Sequence, residues 1–215
     1  MNLSSRLKKI VELLPTCEVL ADVGCDHGMV GITALLQNKA QKVVFSDISQ
    51  PSLKKAEILA KKNGLLDRSS FVVGDGLVGL KVDCAVIAGM GGKEILKIID
   101  DAKANLPTKL LLNPMRNVDT VRSKLIEDYF IDYDQKFFDK KFYDLMLLTR
   151  GKDTLLPLEV KYGKTNLEYF CNDFCKFLQE ERKKYGKILQ SNDSQNIKNY
   201  LDELDQLLNR SKNAG

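Results

Sequence analysis

From residue 19 onward, short apolar runs alternate with stretches whose apolar residues recur at helical spacing. The runs at 19–23, 42–46, 70–73, 83–88 and 109–113 predict strands. The amphipathic stretches at 28–37, 50–63, 91–104 and 117–128 predict helices. A short helix is expected over 3–14, with Ser4 and Ser5 near its start and Pro15 beyond its end. Repeated strand–helix order implies a parallel sheet with helices on both faces. Two strand-like segments, 130–138 and 142–149, flank Asp139-Lys140-Lys141 and read as an antiparallel hairpin closing the sheet edge.

The pattern changes after residues 151–157. Leu167, Phe170, Phe174, Phe177, Leu178, Tyr185, Ile188 and Leu189 recur at helical spacing, as do Ile197, Leu201, Leu204, Leu207 and Leu208. Ser191-Asn192-Asp193-Ser194 between them has turn and cap chemistry. Two helices forming an antiparallel, coiled-coil-like hairpin are expected, with the aromatic stripe as its core. The predicted division is 1–152, an α/β domain, and 153–215, a helical hairpin.

Bulk properties narrow the class. A chain of 215 residues suits one main domain plus an appendage. No apolar run approaches the roughly 18 residues that span a bilayer, and no secretory leader is visible, so a cytoplasmic monomer with no membrane partner is expected. Five cysteines without a Cys-x-x-Cys pair, and the lone His27, speak against a structural metal site. The net charge of +4 is weak grounds for nucleic-acid binding, but Arg182, Lys183, Lys184 and Lys187 cluster near the C-terminus. A solvated helix face is the default reading of such a run.

The ends of the five predicted strands carry the chemistry. Val19-Leu20-Ala21-Asp22-Val23-Gly24-Cys25-Asp26-His27-Gly28 is a strand entering a glycine turn ahead of a helix, the first βα turn of a nucleotide-binding α/β fold. Asp26 would repel a dinucleotide pyrophosphate but welcome an ammonium or sulfonium, which favours S-adenosylmethionine over NAD. Asp47, followed by Ile48, ends the second strand at the spacing that suits a ribose diol. Gly74-Asp75-Gly76 ends the third, where Asp75 can accept from an adenine amino group. Ala88-Gly89-Met90-Gly91-Gly92 follows the fourth strand and leaves room for a substrate to approach the methyl group, with backbone amides at the helix start available to a polar edge. Asn113-Pro114 ends the fifth, where an amide can grip an acceptor base.

The segments Leu3-Ser4-Ser5-Arg6-Leu7, Ala21-Asp22-Val23-Gly24-Cys25-Asp26-His27, Gly74-Asp75-Gly76-Leu77 and Ile87-Ala88-Gly89-Met90-Gly91-Gly92 go further than a generic cofactor turn. On them the chain resembles the TrmK family of bacterial tRNA adenine-N1 methyltransferases, which act at tRNA position 22. The resemblance covers nearly the whole length, most clearly 3–150. It departs at Asn113-Pro114-Met115, where the family commonly has Gln-Pro-Asn, and at Asp47, where Glu is common.

The resemblance implies a class I methyltransferase (Rossmann-like) domain followed by a helical coiled-coil domain. It implies attack by adenine N1 on the methyl group of S-adenosylmethionine, leaving S-adenosylhomocysteine. N1 needs no prior deprotonation, so catalysis rests on positioning, and the base must first leave its stack. With the strand-end reading, the expected cofactor residues are Arg6, Gly24, Cys25, Asp26, His27, Gly28, Asp47, Ile48, Asp75, Gly76, Ala88 and Gly89. Arg6 is expected to bind the cofactor carboxylate or to tie the first helix over the pocket. Expected on the tRNA side are Met90, Gly91, Gly92, Arg116, Arg122, Arg182, Lys183 and Lys184, with Asn113 catalytic. A small-molecule methyltransferase and a non-catalytic S-adenosylmethionine-dependent RNA-binding protein are the competing readings.

Overall fold

The computed structural model describes residues 3–191 and 194–213. Helix α1 (Ser5–Leu13) begins at Ser4, whose hydroxyl accepts from the Leu7 N–H. Strands β1 (Cys17–Val23), β2 (Ala40–Asp47), β3 (Ser69–Val73), β4 (Cys84–Ala88) and β5 (Lys109–Asn113) are each followed by a helix, α2 (Met29–Leu36), α3 (Gln50–Lys62), α4 (Gly92–Asp101) and α5 (Val118–Leu125), except β3, which a loop joins to β4. The hairpin β6 (Tyr129–Asp139) and β7 (Lys141–Arg150) follows, then α6 (Pro157–Tyr162), α7 (Lys164–Tyr169), α8 (Asn172–Ser191) and α9 (Gln195–Asn213).

The sheet runs β3-β2-β1-β4-β5-β7-β6. The first five strands are parallel and β7 is antiparallel to both neighbours. Side-chain alternation divides the core in two. Leu20, Val86 and Leu111 face α1, α2 and α3, while Ala21, Ile87 and Leu112 face α4 and α5. Helix α2 is buried from Val30 to Leu35 because it lies directly on β2, and a Cβ on Gly31 would come within 2.5 Å of Phe45. This close seat fixes the turn at the end of β1, where cofactor chemistry was expected.

The C-terminal region has more helices than its periodicity predicts. Leu167 and Phe170 are not on α8: Leu167 is in α7, and Phe170 ends α7 with φ +45°. Both still join Phe174, Leu178, Leu204 and Leu207 in one apolar cluster, so the first part of the stripe is core, as expected, but is built from separate helices, while Phe177 lies at its margin and Ile188 is exposed. Arg182–Asp205, Glu181–Tyr200 and Tyr185–Tyr200 contacts show α8 and α9 running antiparallel. Of the expected turn, Asn192 and Asp193 lie outside the described residues. Among the described residues no helix is long and apolar enough to cross a membrane.

These helices are bound to the free edge of the sheet. The Asp134 N–H donates to Thr165 Oγ1 (2.8 Å), Lys136 N–H to Asn166 Oδ1 (2.9 Å) and Phe138 N–H to Asp173 Oδ2 (3.0 Å). Side chains therefore satisfy the edge donors of β6 that a further strand would otherwise pair.

Candidate cofactor and acceptor site

Two adjoining cavities lie beyond the C-terminal ends of the parallel strands, where ligands bind in open α/β sheets. One, of about 310 Å³, is lined by Gly24, Asp47, Ile48, Asp75, Gly76 and Ile98, among others. The other, of about 330 Å³, is lined by Arg6, Asp22, Gly24, Cys25, Asp26 and His27, with Ala88 and Gly89. They share Val23, Gly24 and Met90. Gly24 has φ +63°, and the Met90 methyl lies where a Cβ would stand, so only glycine keeps this saddle open.

The first cavity suits an adenosine. Ile48 is 75% exposed beside it and Ile98 forms a second apolar wall, a pair that can flank a purine. Asp47 Oδ2 accepts from the Asp26 N–H (3.1 Å) and Oδ1 from the Ser49 N–H (2.9 Å), which holds its carboxylate at the rim. Asp75 is paired with Lys97 (2.7 Å), which also reaches Asp101 (2.8 Å). Lys97 escaped the sequence reading because only its pair with Asp101, one helical turn away, is visible in the chain.

The second cavity suits an amino-acid group, since it offers acids to an ammonium and Arg6 to a carboxylate. Asp26, the acid expected to meet a cation, is at the open rim: its side chain is 68% exposed, 3.6 Å from His27 and 4.0 Å from Lys55. The buried acid is Asp22, to which the sequence reading gave no role. Its Oδ2 accepts from the Gly31 N–H (2.9 Å). Burial, partly offset by that bond and reinforced by Asp47, pushes its pKa up to about 7. Burial and the neighbouring Asp22 and Asp47 also push the Cys25 thiol up, leaving it a protonated wall rather than a nucleophile. Gly28, at φ +67°, packs on Phe45 and Ala56 and starts α2.

Arg6 joins this cavity to the hairpin. Its N–H donates to Asp139 Oδ2 (3.0 Å), and its guanidinium donates to Asn113 Oδ1 (3.0 Å) and lies 5.7 Å from the centre of the Tyr143 ring. Helix α1 is thus tied over the strand ends. Asn113 is 1% exposed, and its Nδ2 donates to the Asp144 carbonyl (2.7 Å). The expectation of an amide presented to a base gives way to one buried beneath Arg6, which it positions.

Three further expectations are corrected. The Gly91 N–H donates to Glu94 Oε2 (2.8 Å) and the Gly92 N–H to the Arg116 carbonyl (2.9 Å), so neither amide is open to a substrate. Gly92 serves instead to let two loops meet, since a Cβ there would lie 2.6 Å from the Arg116 carbonyl oxygen. The exposed Arg116 side chain does stand beside this loop pair. Arg122 faces no RNA: its side chain is 2% exposed, bound to Asp134 (2.6 Å) and Asp144 (3.1 Å), and donates to the Val160 and Lys161 carbonyls. It fastens α6 to the hairpin. Arg182 is paired with Asp205 and Lys184 with Glu181 (3.2 Å), whereas Lys183 is exposed. Among the described residues no group of three or more His, Cys, Asp or Glu is placed to hold a metal ion.

Comparisons agree with this geometry. A methyltransferase-domain family model matches residues 3–146. A Bacillus subtilis tRNA (adenine(22)-N(1))-methyltransferase is 28% identical over 95% of this chain and 93% of its own length. The solved Bacillus subtilis M1A22 tRNA methyltransferase TrmK superposes with a TM-score of 0.77 at 27% identity, covering 99% of this chain and 98% of that one. Mycoplasma capricolum TrmK, solved with S-adenosyl-homocysteine, superposes with a TM-score of 0.80 at 25% identity over 98% and 96% of the two chains. With the strand order, the glycine saddle and the acidic strand ends in place, the chain belongs to the methyltransferase-domain family.

Proposed function

We propose that this protein is an S-adenosylmethionine-dependent methyltransferase that methylates N1 of an adenine in tRNA, at position 22, and acts in the cytoplasm. The observation that carries the reading is the likeness, over nearly the whole of both chains, to the Bacillus subtilis tRNA (adenine(22)-N(1))-methyltransferase. The same likeness sets this reading above a small-molecule methyltransferase.

When bound, S-adenosylmethionine supplies a methyl group made electrophilic by its sulfonium. Asp47 and Asp75 would hold its adenosine, and Asp22, Asp26 and Arg6 its amino-acid end. Ala88 and Gly89, small and at the end of β4, leave the approach to the methyl group clear. Adenine N1 carries a free lone pair at neutral pH, so this chain need only orient the base and exclude water. Residues 1–152 form the cofactor-binding part, and 153–215 an arm whose apolar cluster draws only on its own residues.

The test is transfer of labelled methyl from S-adenosylmethionine to unmodified tRNA, with nucleoside analysis. The expected product is 1-methyladenosine, lost when position 22 is changed from adenine. Transfer to another base, or none, overturns the reading.

A further inference from the structure

The hairpin tip has two faces. Tyr143 points to Arg6 and stacks on Phe137 at 5.3 Å. Its neighbour Phe142, on the opposite face by strand alternation, meets Phe177 of α8 edge-on at 5.4 Å and Phe138 at 5.1 Å. Between this second face and α8 lies an open groove of about 570 Å³, lined by Phe142, Phe177, Ile188, Lys183, Lys184 and Lys187. Two acids line it as well, and one of them, Glu181, is occupied by Lys184 and the Tyr200 hydroxyl, both at 3.2 Å. Lys183 and Lys187 have no ion-pair partner among the described residues. Two more lysines face the same aromatic group: Lys136, which Asp144 neutralises at 2.8 Å, lies 4.4 Å from the Phe177 ring centre, and Lys176 lies 3.4 Å from that of Phe138.

Resting on the tRNA reading above, we propose that this groove binds an unpaired nucleotide of the substrate strand next to the target adenine. A half-buried aromatic edge beside the unpaired Lys183 and Lys187 matches a base with its phosphates: the ring offers a stacking surface indifferent to sequence, and these two cations neutralise the backbone. Its position supports this occupant. Phe142 adjoins Tyr143, whose ring lies 5.7 Å from Arg6, a residue that lines the cofactor cavity, so the hairpin tip alone stands between the groove and that cavity's Arg6 side. Exposing adenine N1 requires its base to leave the stack, which frees neighbouring nucleotides for capture. The cations that matter are thus Lys183 and Lys187, not Arg182, which Asp205 neutralises.

The test compares wild type, Phe142→Leu, Phe142→Tyr and the double variant Lys183→Glu/Lys187→Glu in steady-state tRNA methylation, with S-adenosylmethionine affinity by calorimetry. Phe142→Leu should raise KM for tRNA about tenfold, Phe142→Tyr should restore it, and cofactor affinity should stay within twofold of wild type throughout. The lysine variant should weaken tRNA binding and lower the dependence of log Kd on log salt by roughly 1.4, about 0.7 per lost phosphate contact. An active wild type whose variants match it in KM and salt dependence overturns the groove and leaves the tRNA reading standing. A wild type that neither binds nor methylates tRNA overturns both.

Discussion

Single residues decide the electrostatics of the interior. Asp22 has a folded pKa of about 7 against 3.8 for an ordinary aspartate, so the folded protein retains a proton that the unfolded chain releases over this interval. Its contribution to stability is full below the unfolded value and is lost as pH rises through the folded one. Asn at this position keeps an acceptor for the Gly31 N–H without the charge. Asp22→Asn should therefore melt with wild type at pH 4 and above it at pH 8, by an amount on the order of a few kcal/mol. Equal melting temperatures at pH 8 would show that the carboxylate is solvated in the folded protein. Arg122 poses the opposite problem. Replacing it with Met strands Asp134 and leaves Asp144 to Lys136 alone, at a cost of about 3–5 kcal/mol in urea unfolding. Arg122→Lys should recover only part, because one ammonium cannot reproduce the fork that spans both acids and two carbonyls.

At the scale of elements, the long edge strand β6 is the exposed liability of this sheet, and α7 and α8 answer it with side chains. Asn166 is fully buried, and its amide takes the Lys136 N–H while giving a proton to the Tyr162 carbonyl. Asn166→Leu should cost about 1–3 kcal/mol, since both partners are left unsatisfied beside the sheet. Hydrogen exchange should place the loss locally, with the Lys136 amide losing protection before the amides of β1 and β4. Uniform loss across the sheet would mean that the arm and sheet unfold as one unit.

For the whole molecule, the arm is not a detachable appendage. It caps β6 and supplies the Val160 and Lys161 carbonyls to Arg122. Removing residues 157 onward should lower the melting temperature by several degrees and promote aggregation through the uncovered edge, even though no cofactor-lining residue is lost. A truncated chain that melts with the full-length protein and does not aggregate would show that the cofactor-binding part needs no cover.

The order of strands and helices up to the β6–β7 hairpin was legible in the chain, because apolar periodicity reports which face each segment buries and glycine–acid turns mark strand ends. So were the acids Asp26, Asp47 and Asp75, which local sequence alone brings to the ends of consecutive strands. What lay out of reach were the partners that these and other residues would find. Arg122 reads as a surface cation on an amphipathic helix, yet Asp134 and Asp144 on the hairpin make it the centre of a buried network. Asn113 reads as an amide at an open strand end, yet Arg6, over a hundred residues earlier, covers it. Gly91 and Gly92 read as open amides until the β5–α5 loop and Glu94 fill them. Periodicity fixes which way a side chain faces its own element. Only the packing of distant elements decides whether it then meets water, an ion partner or a ligand.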